Sequence, residues 1–202
     1  MARRQSANGD RARKVLAQEA ARIIVEQGIE DYRVAKLKAA ERLGMSTRGS
    51  LPGNTEIEKA VSEHLLLFGG ESHLDLLRVL RRAALSAMEL LSPFAPRLVG
   101  PVLHGTANAN SAINLHVFAD DAETVANRLH AHAIQYRPFD RRLKSRRNRS
   151  ETFAAFRFVH DESPIEATVF PVDGVRQAPI SPVDGKPMRR ADRNTILRLL
   201  KE

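Results

Sequence analysis

The stretch with the most chemical potential is "GPVLHGTANANSAINLHVFADD", residues 100 to 121. Gly100 and Gly105 flank a short segment, and small polar residues, Thr106 and Ser111 among them, lead into an alternating run from Ile113. A glycine-containing polar loop can offer backbone N–H groups and hydroxyls to an anion, because glycine tolerates unusual dihedrals and carries no Cβ. Read as a strand, "SAINLHVF" puts Ile113, Leu115 and Val117 on one face and Ala112, Asn114, His116 and Phe118 on the other. The polar face and the loop are thus expected to line one anion pocket.

Titratable side chains stand close by in sequence. His104 opens the loop, His116 shares the face of Asn114, Asp120 and Asp121 follow the strand, and Glu166 lies further on in "PIEATVF". A set of His116, Asp120 and Glu166 has the donor types for zinc or manganese, or for general base catalysis. The plainer alternative gives Asp120 and Asp121 to the N-terminus of the next helix, and leaves His116 covering the sheet.

The densest positive charge is "RPFDRRLKSRRNRS", residues 137 to 150, with Arg141, Arg142, Lys144, Arg146, Arg147 and Arg149. It is expected to be a loop between two strands. Guanidinium forks pair well with phosphate, so RNA or a nucleotide is the ligand such a loop suits; a merely solvated loop is the alternative. The formal net charge of +8 points the same way. Tyr136 and Phe139 are too few to make a stacking platform.

These residues need a scaffold, and the hydrophobic periodicity supplies one. Leu16, Ala20, Ile23 and Ile24 mark one face of a helix that Gly28 would stop. A second helix covers "EDYRVAKLKAAERLG", with Val34, Leu37 and Leu43 as its apolar positions. Thr55 three residues before Glu58 has capping-box spacing for a third. A longer helix over 72–92 carries Leu77, Leu80, Ala84, Ala87 and Leu91, and Pro93 and Pro96 end it. Beyond Pro96 the period shortens. "RLVGPVL", "INLHVFA", "IQYRPFDRRL", "TFAAFRFVH" and "IEATVFPV" read as strands, the last two as a hairpin, with a helix at 121–133 that includes Val125, Leu129 and Ala133. The fold class is α+β: a helical region over 1–70, a mixed-sheet domain over 71–175, and a Pro-rich extended tail with a short helix over 176–202.

This arrangement resembles the polymerase-β-type nucleotidyltransferase superfamily over roughly residues 72 to 170. The signature there is a helix, a strand ending in Gly-Ser or Gly-Gly, a polar loop, Asp-hydrophobic-Asp on the next strand, and a third carboxylate later. The resemblance implies nucleotide phosphates at the glycine turn and two magnesium ions on the carboxylates. Gly100 fits the glycine, Gly105 a further loop glycine and Ser111 the serine before the aspartates. Pro101 stands where an N–H is needed, and Ala112 and Asn114 hold the aspartate slots. Glu166 fits the third. One carboxylate with one amide is a poor seat for magnesium, so a divalent metal is only weakly implied.

Absences narrow the choice further. Without cysteine there are no disulfides, thiolate zinc sites or thiol nucleophiles, which fits a reducing cytoplasm. No HExxH, Walker loop, GxGxxG or GxSxG occurs. No apolar run approaches membrane-spanning length, and no apolar core follows the basic N-terminus as a secretory signal requires. The loop from Met45 to Asn54 is too long and too rich in Pro and Gly for a helix-turn-helix, so DNA is a poorer expectation than RNA. Three readings stand: a nucleotide- or RNA-binding nucleotidyltransferase-like protein without two-metal chemistry, an active transferase with a rebuilt site, or an interaction module for nucleic acid or protein.

Overall fold

A computed structural model describes residues 2–29, 31–46, 51–145 and 149–201. The chain divides into two compact units, one formed by residues 1–74 with 108–110 and 182–184, the other by the remainder. Among the described residues no helix is long and apolar enough to cross a membrane.

The first unit is helical. α1 (Ala2–Gln27), α2 (Tyr32–Arg42) and α3 (Asn54–Phe68) bury Leu16, Ala20, Ile23, Ile57, Val61 and Leu65 in one core. Two sequence expectations shift here. α2 presents Ala35, Ala39 and Ala40 to that core, while Val34, Leu37 and Leu43 are exposed. Small residues let the helix approach its neighbours closely, so contact distance outweighs side-chain hydrophobicity. The cap of α3 also lies two residues earlier than Thr55. Glu56 reaches back to accept the Gly53 N–H at 2.6 Å, and Glu58 accepts the hydroxyl of Tyr32 instead.

The second unit is the α+β domain. α4 (Gly70–Leu90) enters it with Leu77, Leu80, Ala84 and Ala87 buried, and Leu91 beyond its end is buried too. A 3-10 turn at Ser92–Phe94 stops it, with Pro93 in its first positions. Five strands follow: β1 (Arg97–Val99), β2 (Ile113–Phe118), β3 (Tyr136–Lys144), β4 (Ser150–His160) and β5 (Ser163–Phe170). They form one sheet in the order β1-β2-β5-β4-β3, with β2 and β5 parallel and every other pair antiparallel. The helical turn α5 (Pro101–His104), α6 (Ala122–Ala131) and α7 (Arg193–Leu199) join α4 in one hydrophobic core with Leu98, Leu115, Val117, Phe156, Ile165 and Val169.

The strand expected over "RLVGPVL" is shorter than its sequence implied. It stops at Val99, because Gly100 adopts φ 73° and Pro101 opens α5, where its missing N–H costs nothing. Ala133 falls beyond α6, at φ 55°, rather than on its packing stripe. At the far side of β1, Ala191 makes both backbone hydrogen bonds of an antiparallel bridge to Leu98, each 2.9 Å. That bridge covers the strand's open edge.

Candidate functional site

Strand alternation gives the sheet its second face, and the registers sort that face into rows. One row runs Val99, Asn114, Glu166, Arg157, Arg137 from β1 to β3. The next runs Arg97, His116, Thr168, Ala155, Phe139. In a third, Phe118 lies beside Phe170, whose ring is 4.5 Å from that of Phe153, and Phe153 is registered with Arg141. Asn114 and Glu166 are thus direct neighbours on parallel strands.

Glu166 is buried, and it is not available for a cation. Its Oε1 accepts from Nε and Nη2 of Arg157 at 2.8 and 2.5 Å, and its Oε2 accepts from Nη2 of Arg141. Arg141 also donates from Nη1 to Oδ1 of Asn114 at 3.2 Å, and the Asn114 amide donates to the Ala112 carbonyl at 3.1 Å. Both guanidiniums lie over the ring of Phe139, with centroid distances of 5.4 and 5.3 Å. The magnesium pair that the resemblance implies does not fit these residues. Two of its three ligand positions are Ala112 and Asn114, and the third faces two permanent positive charges. Among the described residues no group of three or more His, Asp or Glu side chains could hold a metal.

His116 is buried as well. Its Nδ1 lies 3.0 Å from Nε of Arg190. A guanidinium only donates, so Nδ1 is the acceptor and the proton of the neutral ring resides on Nε2. Burial, then the charges of Arg190 and Arg141, push its pKa well below the ordinary value of 6.5, so the ring is uncharged at neutral pH. Arg190 itself sits 5.0 and 4.9 Å over the rings of Phe118 and Phe170, and it donates from Nη1 to the carbonyls of Gly174 and Val175. Among the described residues it has no carboxylate partner. Burial and the neighbouring Arg97 lower its pKa to about 10, which still leaves it cationic at neutral pH.

The remaining expected residues distribute as follows. Gly100 stands against Asn114, whose Nδ2 is 3.5 Å from the position a Cβ would take. Gly105 caps α5 at φ 80°, and Thr106 and Ser111 are buried in the turn beyond it. Asp120 does not join Glu166 and His116 as a catalytic set. Its Oδ1 accepts the Val172 N–H at 3.3 Å, and Asp121 caps α6 by accepting from Glu123 N at 2.8 Å. The basic segment is strand through Lys144, as the reading of "IQYRPFDRRL" expects to within a residue, so the loop expected over 137–150 is confined to its end. Alternation consequently separates its charges: Arg141 turns to the Glu166 face, while Arg142 and Lys144 belong to the opposite one. Arg149 follows in the connection to β4, and Arg146 and Arg147 lie outside the described residues.

Sequence reasoning missed Arg97, Arg157 and Arg190. A faint signal existed for Arg157, a charge alternating with Phe156 and Phe158 in the "FRF" run; "PMRRAD" gave none for Arg190. The fold and this face define an α+β protein with one cationic sheet surface. No protein-family model, curated protein or solved structure matches the chain.

Proposed function

We infer that the protein binds a nucleotide or RNA on this sheet face and does not carry out two-metal nucleotidyl transfer, as a degenerate relative of the polymerase-β-type nucleotidyltransferases. The carrying observation is the clamp on Glu166: the lone carboxylate at the expected metal slots is neutralised by Arg141 and Arg157. The order of α4, β1, the Gly100 turn, β2 and a later carboxylate strand beside β2 supports the family reading. Charge supports the ligand class. Arg141 and Arg157 share the one carboxylate of Glu166 with Arg137 registered beside them, and Arg97 and Arg190 adjoin a neutral His116, so positive charge is in excess on this face.

An active transferase built on Glu166, His116 and Asp120 is the weaker reading, since each of these already has a structural partner. Titration of the full chain with a nucleoside triphosphate and with a short single-stranded RNA tests the proposal. Three phosphate contacts on a single strand predict a roughly 20-fold loss of RNA affinity between 50 and 200 mM salt. Salt-independent binding, or labelled-nucleotide transfer that disappears in Glu166→Gln, would contradict it.

A further inference from the structure

A two-metal site does two things for a polyphosphate. It supplies concentrated positive charge, and it fixes the phosphate oxygens in space. This face retains the first function with different atoms. Arg141 and Arg157 stand on the carboxylate that would otherwise hold a metal, and their planes are fixed from below by Phe139 and from the side by Glu166 and Asn114. Only part of each fork is used. Arg157 spends Nε and Nη2 on Glu166, and its Nη1 has no protein partner among the described residues. Its side chain is 61% exposed, so those N–H groups face outward.

A second pair of cations lies next to the first. Arg97 registers with His116 on β1, and Arg190 reaches His116 from the C-terminal segment. Arg97 donates to the carbonyls of Ala95 and Pro96 and feels the charge of Asp192, whereas Arg190 donates to two carbonyls and the His116 ring, has no acidic hydrogen-bond partner among the described residues, and keeps a buried Nη2 without one. The two guanidiniums repel each other, as the lowering of the Arg190 pKa by Arg97 reflects, and an anion between them removes that repulsion. Arg141 reaches across the sheet to Asn114 and Arg190 reaches His116, alternate residues on one face of β2 about 7 Å apart along the strand, a separation that groups of a phosphate chain can bridge when gripped by extended arginines.

We propose that this face binds the polyphosphate chain of a nucleotide directly and without a divalent metal, Arg141 and Arg157 holding one phosphate and Arg97 and Arg190 another. The inference rests on the nucleotide-binding reading above and specifies its ligand as the metal-free anion. Magnesium, which aids conventional transferases, competes here for the same oxygens.

The test titrates the full chain with ATP and with inorganic tripolyphosphate, each in EDTA and in excess magnesium. Both ligands are expected to bind in EDTA, and magnesium should weaken each by roughly tenfold as it withdraws charge from the phosphates. Arg97→Gln and Arg157→Gln should each lower affinity in EDTA by roughly tenfold or more, the worth of a charge-assisted hydrogen bond. Arg142→Gln, on the opposite face of the same strand, should leave it unchanged, and circular dichroism of each variant reports folding. ATP binding that requires magnesium would overturn the metal-free inference and leave nucleotide binding intact. So would ATP binding indifferent to Arg97 and Arg157, or ATP binding without tripolyphosphate binding. No binding of ATP, tripolyphosphate or RNA under any condition would overturn both.

Discussion

Glu166→Gln removes one negative charge from beneath two guanidiniums while preserving side-chain length and one carbonyl acceptor. In the native face this carboxylate takes three donor contacts, two from Arg157 and one from Arg141. Breaking a fully buried ion pair costs about 3–5 kcal/mol. The Arg157 side chain is 61% exposed and that of Arg141 28%, so water recovers part of the loss and about 2 kcal/mol remains. At roughly 2–4 °C per kcal/mol for a chain of this size, the melting temperature should drop by about 4–8 °C. A carboxylate kept for metal binding behaves in the opposite way in metal-free buffer, because removing it relieves repulsion among its acidic neighbours. Ala112 and Asn114 provide no such neighbours. The assay is thermal unfolding followed by far-ultraviolet circular dichroism in EDTA, with Arg157→Gln and the double variant completing a cycle. An unchanged or raised melting temperature in Glu166→Gln would refute the claim that this carboxylate serves as the counter-ion of the arginines. The same variant should bind tripolyphosphate more tightly, since the freed guanidiniums face no competitor.

Two further outcomes follow from the same face. His116 is held neutral with its pKa depressed, so below about pH 6.5 the unfolded chain takes up a proton that the folded ring refuses. Stability therefore falls as pH drops from 6.5 toward the folded pKa, and thermal melts of His116→Gln should lose that portion of the acid sensitivity. An equal shift between pH 7.5 and 5.5 in both proteins would discount His116. Gly100→Ala should cost about 1–3 kcal/mol in urea unfolding, because φ 73° and ψ −155° form a region that L-residues avoid even where space permits. Gly105→Ala should cost less, since its αL conformation is one that Ala95 already adopts in this chain, and equal losses would discount the dihedral argument.

The parts legible in the sequence were those governed by period. Alternation placed Ile113, Leu115 and Val117 on one face and Asn114 and His116 on the other, and Pro93 and Pro96 marked the end of α4. Glu166 on the face of Asn114 was also readable, from strand order. The arginine clamp was not, because Arg141 and Arg157 meet only through the pairing of β3, β4 and β5, and a register between distant strands leaves no trace in local spacing. The basic run reads both as the strand "IQYRPFDRRL" and as a projecting loop, and the strand holds through Lys144. Charge density masked an alternation that Tyr136 and Phe139 only partly reveal. In α2 the apolar residues misled outright, since alanine carries the packing and the larger side chains remain outside.

The two-bond latch between Leu98 and Ala191 ties closure of the sheet edge to the placement of Arg190 on the cationic face. The residue that seals the border of the sheet immediately follows Arg190, so any cut or truncation upstream of it would strip a cation from the face and bare an adhesive strand at one stroke. A shortened chain that still bound phosphate but had begun to self-associate would mean that these two duties can be separated.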